Sequence, residues 1–266
     1  MSNHEFSSVK NTPSVTIVTV VFNGSQDLDR TIRSIISQTY SNVEYVVIDG
    51  GSTDGTIDII RKYKDHISYW VSESDNGIYD AMNKGINIAN GEWINFMNAG
   101  DVFSSENVIK DIFAVERSQV AIIYGDTEIL YPSFTRLAKA KRVKEIAKGM
   151  PFCHQSTFVR TDYHKINPFN IYNPIAADME FFSRAFRSNL SFLHLPFSVS
   201  KILSGGVSDR HRIRTLFSWW KTSYKLGFSK FLVFYYFSSV LAEIFKYFVK
   251  KIISKHLVLK MQNRIR

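Results

Sequence analysis

Three polar side chains follow predicted β-strands at the points where those strands end: Asn23, Asp49 and Asp101. The carboxyl ends of parallel strands meet at one edge of a sheet, and ligands bind there. After Asp49 the chain continues as Gly-Gly-Ser-Thr-Asp-Gly-Thr, with so little side-chain bulk that a flat ligand can lie against the backbone. A carboxylate accepts the hydrogen bonds that nucleobases and riboses donate. The sequence therefore predicts a nucleoside site at Asp49.

A second interpretation applies to the polar residues within this loop. Short polar side chains and glycines also form turns and cap helices. Asp54 would then only cap the helix that is predicted to begin near Thr56, and Ser52 would only shape the turn.

The elements that must position these side chains alternate between strand and helix. Between the early strands, apolar residues recur at helical spacing, as at Leu28, Ile32 and Ile35. This alternation implies right-handed βαβ units in a mostly parallel sheet. Apolar runs predict strands at 14–22, 43–48, 67–72 and 92–97, and later at 120–126, 156–160 and 190–195. A further helix is predicted at 177–186.

Composition and charge divide the chain into a body and a tail. The single cysteine, Cys153, excludes a disulfide framework and is typical of a reducing compartment, and residues 1–14 lack the apolar segment of a secretory signal. Residues 1–209 carry 20 basic and 23 acidic residues, whereas residues 210–266 carry 13 basic residues and one acidic residue. The overall net charge of +9 therefore comes from the tail, and the two parts need separate explanations.

Four ordered motifs resemble those of the family 2 inverting glycosyltransferases of the GT-A fold, above all members that assemble bacterial polysaccharides. They read TIVTVVFNG, DGGSTDGT, SDNGIYDAMNKGINIANGEWINFMNAGD and AADMEFF. The resemblance covers residues 14–206. It implies a GT-A (Rossmann-like) α/β fold with a mostly parallel central sheet flanked by helices, and the charge and apolar pattern adds a C-terminal basic amphipathic helical tail. The expected division is an N-terminal tail at 1–13, a catalytic domain at 14–209 and a helical region at 210–266.

The resemblance also implies a nucleoside-diphosphate sugar donor, expected to be a UDP-sugar, and a Mn²⁺ or Mg²⁺ cofactor. The family carries a DxD motif where this chain has Asn-Ala-Gly-Asp, so only Asp101 remains as a carboxylate ligand. A structural turn is the alternative for this segment, and a surface ion pair with Asp80 is the alternative for Lys84. The expected donor-binding residues are Val21, Asn23, Asp49, Ser52, Asp75, Lys84, Asn98 and Gly100.

Inverting transfer needs one carboxylate that takes the proton of the acceptor hydroxyl. By resemblance that base is Asp178, at the start of the predicted helix 177–186. The alternative is that Asp178 and Glu180 only offset the helix dipole. His154 and Glu180 are expected on the acceptor side, although a lone histidine such as His154 is as often a core residue.

The tail, residues 210–266, has 13 aromatic residues interleaved with lysines. The apolar run 231–242 has about twelve positions, fewer than the roughly 20 that a spanning helix needs. We therefore expect an interfacial helix on an anionic membrane, at the cytoplasmic inner face of a bacterial cell membrane, with a glycan or polyprenyl-linked acceptor. Packing on the body or in a homo-oligomer is the alternative. No nucleic-acid-binding signature supports a nucleic-acid partner.

Two other functions compete with catalysis by a glycosyltransferase. An oxidoreductase or kinase would need a Gly-x-Gly-x-x-Gly or P-loop motif, and neither occurs in the sequence. A non-catalytic, membrane-bound interaction module of the same fold is favoured by the degenerate Asn-Ala-Gly-Asp segment, whereas Asp178 and the complete DGGSTDGT motif favour an enzyme.

Overall fold

The computed structural model describes residues 13–262, with side chains in the last helix described as far as Val249 and at Lys251. The predicted N-terminal tail, apart from Pro13, lies outside the described residues, as do residues 263–266. The proposed division of the chain near residue 209 stays a prediction.

Nine strands form one sheet within the described residues, in the order β3-β2-β1-β4-β8-β6-β9-β5, with β7 paired to β6. Strands β3, β2, β1 and β4 run parallel, whereas β8 is antiparallel to both of its neighbours. The strands are β1 (Val15–Val21), β2 (Val43–Asp49), β3 (Tyr69–Ser72), β4 (Trp93–Phe96), β5 (Val102–Phe103), β6 (Ile122–Leu130), β7 (Thr135–Ala138), β8 (Thr157–Arg160) and β9 (Phe192–Leu203).

Helices cover both faces of this sheet. They are α1 (Leu28–Ile36), α2 (Thr56–Lys62), α3 (Ile78–Ile88), α4 (Val108–Phe113), α5 (Thr161–Ile166), α6 (Ala177–Arg187), α7 (Val207–Arg210), α8 (Arg212–Lys225) and α9 (Leu232–Gln262). Short 3-10 helices lie at Lys64–His66, Val143–Lys148 and His154–Ser156.

The core has two layers because successive side chains of a strand point to opposite faces. In β1, Val15 and Ile17 pack against α1, α2 and α4, whereas Val18 and Val20 pack against α3 and α6. All seven residues of β1 are buried, as expected for a strand between two helical layers. The predicted α/β architecture is confirmed.

Strands β6 and β9 extend well beyond their predicted ends. The turn residues Gly125 and Pro196 suggested that each strand stops there. Instead, the two strands pair in parallel as far as Leu130 and Leu203, and the register shifts around Gly125 and Asp126. This irregularity accommodates Pro196 without ending the ladder, because a bulge needs no regular hydrogen bond at that point.

The C-terminal helices α8 and α9 pack on the segment 143–149. Tyr236 is buried, and its hydroxyl donates a hydrogen bond to the Ala147 carbonyl at 2.8 Å. Within α9, Leu232–Val249 is long and apolar enough to cross a membrane by length and composition alone. This window extends the apolar run 231–242 past Glu243 and Lys246, which pair with each other at 2.8 Å. The interfacial placement of the helix stays a prediction.

A buried histidine lies within the layer formed by α5 and α6. His164 is almost fully buried and stacks on Phe181 at a centroid distance of 4.2 Å, and neither ring nitrogen has a hydrogen-bond partner among the described residues. Burial lowers the pKa of His164 to about 3, so the ring is neutral in the folded protein at physiological pH.

Acid should destabilise the protein through His164. The unfolded chain, with a histidine pKa of about 6.5, binds more protons below that pH than the folded chain does. Between about pH 6.5 and about pH 5 this costs up to about 2 kcal/mol of the free energy of unfolding. We expect the His164→Phe variant to lose less stability over this range in urea titrations. The exposed His66→Phe is the control, and an equal loss in both variants would assign the effect to other groups.

Candidate active site

The loops after β1 and β2 are joined to each other by side chains that cap backbone amides. The Asn23 amide donates to Ser52 Oγ at 2.7 Å, and the Thr53 amide donates to Asn23 Oδ1 at 3.0 Å. Asn23 has a φ of 49°, in the left-handed region that asparagine tolerates. The Asp54 carboxylate accepts hydrogen bonds from the Thr56 hydroxyl and from the Thr56 and Ser25 amides. These contacts, above all the one from the hydroxyl, hold the pKa of Asp54 well below its usual range. Asp54 therefore has the capping role.

Asp49 is fully buried, and its carboxylate is engaged by the loop that follows it. Oδ2 accepts from the Ser52 amide at 3.0 Å and the Gly51 amide at 3.2 Å, and the hydroxyls of Ser52 and Ser72 also donate to the carboxylate. In this arrangement Asp49 holds the loop in shape. Its predicted hydrogen bond to a nucleoside stays a prediction.

Small residues in this loop make room for the neighbouring acidic side chain. A Cβ atom on Gly50 would lie 2.4 Å from Asp75 Oδ2, so a larger residue would displace the Asp75 carboxylate. Asp75 is half-buried and accepts from the Gly77 amide at 2.8 Å. Lys84 donates to Glu73 at 2.8 Å and to the Ser74 carbonyl at 3.0 Å, so its partner is Glu73 and not Asp80.

The other predicted donor residues lie at the same edge of the sheet. Val21 ends β1 with its side chain in the core, and its carbonyl accepts from the Gly50 amide at 2.9 Å. Gly100 has a φ of +99° in the turn after β4, which favours glycine. Thr31 Oγ1 accepts from the Gly100 amide at 2.9 Å and donates to the Asp101 carbonyl at 2.8 Å. Helix α1 thus fastens the turn that carries Asp101.

The 3-10 helix His154–Ser156 contacts both candidate carboxylates. Gln155 Nε2 donates to Asp101 Oδ2 at 2.9 Å, and His154 Nδ1 lies 3.4 Å from Asp178 Oδ2. Burial raises the pKa of Asp101 to about 6, against the opposing effect of the hydrogen bond from Gln155. Burial raises the pKa of the neighbouring Cys153 thiol to about 11. The two carboxylates therefore belong to one site.

Asp178 lies at the start of α6, with its side chain 16% exposed. Its Oδ1 accepts from the Tyr79 hydroxyl at 3.2 Å and from the Met179 amide at 2.7 Å. Burial, followed by the charge of Asp178, raises the pKa of Tyr79 well above its usual value, so this hydroxyl stays a donor. His154 Nε2 lies 3.1 Å from Asn98 Nδ2, which links Asp178 to the turn after β4.

The carboxylate of Glu180, a residue expected on the acceptor side, accepts hydrogen bonds from two asparagines. Asn173 donates to Glu180 Oε2 at 2.9 Å, and Asn170 donates to both carboxylate oxygens at 3.1 and 3.2 Å. Ser218 of α8 donates in turn to Asn173 at 2.7 Å. Glu180 therefore anchors the loop before α6 to α8, and its predicted contact with an acceptor stays a prediction.

The residues around the turn after β4 fit a hard divalent cation. Asp101 supplies a carboxylate, and the buried Asn98 Oδ1 has no hydrogen-bond partner in the part of the chain that the structure describes. Oxygen ligands of this kind suit Mg²⁺ and Mn²⁺. No group of three or more His, Cys, Asp and Glu side chains suited to a metal occurs among the described residues. The protein would thus supply few ligands and leave the rest to the substrate.

A separate cavity of about 940 Å³ lies at the opposite edge of the sheet, near Pro13, Glu92 and Ala121, where β1, β4 and β6 begin. None of the predicted site residues lines this cavity. Ligand sites of such sheets lie at the carboxyl ends of the strands, so this cavity is not at the edge expected for the donor.

Sequence reasoning did not identify Gln155, Tyr79 or Thr31. Each acts through a partner at least 54 positions away, so local spacing carries no signal for it. The adjacent polar pair His154-Gln155 between apolar runs was the one local hint, because two such residues just before a strand need partners.

Comparisons with known proteins agree with this geometry. Residues 16–189 match the sequence profile of glycosyl transferase family 2. An uncharacterised glycosyltransferase of Mycobacterium tuberculosis is 34% identical over 188 residues, which are 65% of this chain and 69% of the relative. A PGL/p-HBAD biosynthesis glycosyltransferase of Mycobacterium bovis is 30% identical over 180 residues, covering 65% of this chain and 70% of the relative.

Solved structures share the fold at low sequence identity. S. aureus TarS in complex with UDP has a TM-score of 0.62 and 18% identity over 77% of this chain, which spans 64% of the TarS chain. The mannosyltransferase PcManGT of Pyrobaculum calidifontis, in complex with GDP-Man and Mn²⁺, has a TM-score of 0.63 and 16% identity over 86% of this chain and 68% of its own. These similarities confirm the GT-A-like fold.

Removal of the Asp101 charge should weaken metal-dependent nucleotide binding. We expect Asp101→Asn to lower the affinity for a nucleoside diphosphate in Mn²⁺ by about tenfold or more, and to leave the metal-free affinity nearly unchanged. Calorimetry with and without Mn²⁺ measures both values. The exposed Asp58→Asn is the control, and equal behaviour of the two variants would exclude Asp101 as the ligand.

Proposed function

The chain belongs to glycosyl transferase family 2 and is a transferase, and we propose that it moves a sugar, with inversion, from a nucleoside-diphosphate sugar to an acceptor hydroxyl. A UDP-sugar is the donor that we favour. The observation that carries the proposal is the pair of carboxylates, Asp101 and Asp178, held in one site by the adjacent residues Gln155 and His154.

The donor end of the site lies along the loops after β1, β2 and β4. The bare loop at Gly50 and Gly51 leaves the backbone open to a flat base, and Asp75 is the half-buried carboxylate beside it. We assign the nucleoside to this surface and the diphosphate to the turn at Asn98–Asp101. The structures of TarS in complex with UDP and of PcManGT in complex with GDP-Man support a nucleotide donor of this class.

Asp101 and Asn98 Oδ1 would hold a Mn²⁺ or Mg²⁺ ion. A divalent cation of this kind neutralises charge that develops on the leaving diphosphate. The protein would keep both ligand oxygens in position. Thr31 fixes the turn through the Gly100 amide, and the side-chain amide of Gln155 fixes the Asp101 carboxylate.

Asp178 is the base in this proposal. As the acceptor oxygen forms its bond to the anomeric carbon, the bond from that carbon to the diphosphate oxygen breaks, and the hydroxyl proton passes to the Asp178 carboxylate. Tyr79 and the Met179 amide donate to Oδ1, whereas Oδ2 has only the more distant His154 Nδ1, at 3.4 Å, so Oδ2 has the greater capacity to take the proton. Glu180 is a poor alternative because asparagines occupy both of its oxygens.

The acceptor that we propose is a glycan or a polyprenyl-linked saccharide in bacterial surface polysaccharide synthesis, with the enzyme attached to the cytoplasmic face of the cell membrane. The exposed aromatic residues of α9 and the net basic charge of residues 210–266 support membrane attachment. The relative from Mycobacterium bovis is itself described as acting in PGL/p-HBAD biosynthesis. Release from membranes by alkaline carbonate would support peripheral attachment, and retention would contradict it.

A non-catalytic interaction module of the same fold is the second candidate, because asparagine occupies the first acidic position of the family metal motif. An interaction module of this kind is expected not to bind nucleotides. Calorimetry with UDP, GDP, TDP and CMP, each with and without Mn²⁺, separates the two functions. Binding of one diphosphate supports the enzyme, and the absence of binding for all four supports the module.

Asp178→Asn should abolish transfer and leave donor binding intact. We expect kcat to fall by about 10²-fold to 10⁴-fold, because general-base catalysis contributes that much, with the donor dissociation constant within about twofold of wild type. The exposed Asp58→Asn is the control and should retain kcat. Detection of the product anomer by NMR tests inversion. Full activity of Asp178→Asn would exclude it as the base.

His154 should act as a positioning residue. We expect His154→Leu to lower kcat by about tenfold to a hundredfold with little change in donor affinity, because the base loses one of the contacts that fix its orientation. His154→Gln, which can still donate to Asp178, should recover part of kcat. Equal losses for both variants, matched by equal losses in melting temperature, would indicate a purely structural role.

A further inference from the structure

A compact basic segment lies within the body, apart from the basic tail. Residues 136–148 contain six basic residues, Arg136, Lys139, Lys141, Arg142, Lys144 and Lys148, and one acidic residue, Glu145. The rest of residues 1–209 then holds 14 basic and 22 acidic residues. The segment is therefore a local exception in an otherwise acidic body, and its charge needs an explanation of its own.

All six basic side chains are exposed, and none of them forms an ion pair with another of the described residues. The backbone below them is nevertheless fixed. The Ala140 amide donates to Asp126 Oδ1 at 2.8 Å, and the Lys141 amide donates to the Pro151 carbonyl at 2.8 Å. A fixed backbone that displays unpaired cations is suited to binding an anionic partner, because little ordering is needed on binding.

The same segment is continuous with the C-terminal helices. Ser223 of α8 and Tyr236 of α9 both donate to the Ala147 carbonyl, at 2.9 and 2.8 Å. Lys148 Nζ lies 5.8 Å from the centroid of the Tyr235 ring, so a cation of the segment and an aromatic side chain of α9 share one surface. The Trp219 indole of α8 packs closely against Gly149, because a Cβ atom added to this glycine would lie only 2.5 Å from the ring.

Helix α9 adds a large exposed aromatic surface to these cations. Five of its aromatic side chains are more than half exposed, as is Phe231 just before it: Phe234, Phe237, Phe245, Tyr247 and Phe248. Aromatic side chains beside unpaired lysines match the boundary of a bilayer, where rings enter the interface and ammonium groups reach anionic headgroups.

We infer that residues 136–148 form an anionic-lipid headgroup site on the catalytic body, which orients the body on the membrane that α9 contacts. The partner is a bilayer that contains anionic phospholipids. This inference rests on the membrane attachment in the proposed function and extends it, since α9 alone would attach the enzyme without fixing which face of the body meets the lipid.

The orientation has a consequence for the acceptor. Ile146 lies in the same core cluster as Ala177 and Phe181 of α6, the helix that begins beside Asp178. The segment also ends six residues before His154. With residues 136–148 on the headgroups, the base therefore lies on the side of the body near the membrane, where a lipid-linked hydroxyl would arrive.

Vesicle sedimentation of the full chain tests the headgroup site. The patch variant is Lys139→Gln, Lys141→Gln and Lys144→Gln. The control variant is Arg61→Gln, Lys64→Gln and Lys110→Gln, which removes the same charge from α2, α4 and the turn after α2, on the opposite face of the sheet. The vesicles are phosphatidylcholine alone and phosphatidylcholine with about one third phosphatidylglycerol.

We expect the patch variant to partition onto the anionic vesicles about tenfold more weakly than wild type, and the control to stay within about twofold. All three proteins should bind the neutral vesicles equally weakly. Equal losses in patch and control variants would overturn the headgroup site, as would wild-type binding by the patch variant. Displacement from the vesicles by pyrophosphate or by a single-stranded oligonucleotide at equimolar charge would also overturn it, in favour of a free phosphate or a nucleic acid.

Nucleotide calorimetry on the same proteins separates this inference from the proposed function. Wild-type nucleotide affinity in the patch variant, together with weaker vesicle binding, supports the headgroup site. Loss of both nucleotide binding and vesicle binding would indicate misfolding of the patch variant. In that case the single substitutions Lys139→Gln and Lys144→Gln test the headgroup site. Each of these should weaken vesicle binding by a few fold, and no change in either would overturn the inference.

Discussion

The site depends on one short 3-10 helix whose first two side chains contact two different carboxylates. Gln155 donates to Asp101, and His154 faces Asp178. Buried carboxylates that lie near each other are costly unless neutral donors satisfy them. The third residue of this 3-10 helix, Ser156, anchors it to the sheet. Its hydroxyl forms hydrogen bonds with the hydroxyls of Thr127 and Ser200, each at 2.7 Å. Asn95 of β4 donates to the carbonyls of Gln155 and Thr157, at 3.0 and 2.9 Å, and fixes the turn from the side.

The mixed second half of the sheet brings this turn to the donor edge. Because β8 runs antiparallel to β4, the residues that precede β8 lie beside those that follow β4. His154–Ser156 therefore adjoins Asn98–Asp101, although some fifty residues separate them in sequence. In the proposed function, the parallel half would supply the nucleoside surface, and the antiparallel insertion would connect the turn at Asp101 to the proposed base Asp178. Neither half could form the site alone.

Sequence reasoning located the elements well and the contacts poorly. Buried apolar runs predicted β1, β2 and β4, so the edge at Asn23, Asp49 and Asp101 followed from strand ends alone. The roles within the edge did not follow, because they depend on which donors face each carboxylate. Asp49 is the clearest case: local sequence shows an acid beside two glycines, while only the folded loop reveals that Ser52 and Ser72 already occupy it. The length of β9 was missed for a similar reason, since its partner β6 tolerates a bulge at Pro196.

The family match ends at residue 189, but the site does not. The Ser200 side chain of β9 bonds with the Ser156 hydroxyl, within the hydroxyl cluster next to His154–Ser156. A shortened protein cut at the family boundary would lack β9 and this contact. Any soluble fragment made for crystallography should therefore keep residues to at least 203, and Ser218 of α8, which bonds Asn173, argues for keeping α8 as well. The smallest catalytic unit is longer than the homology alone would suggest.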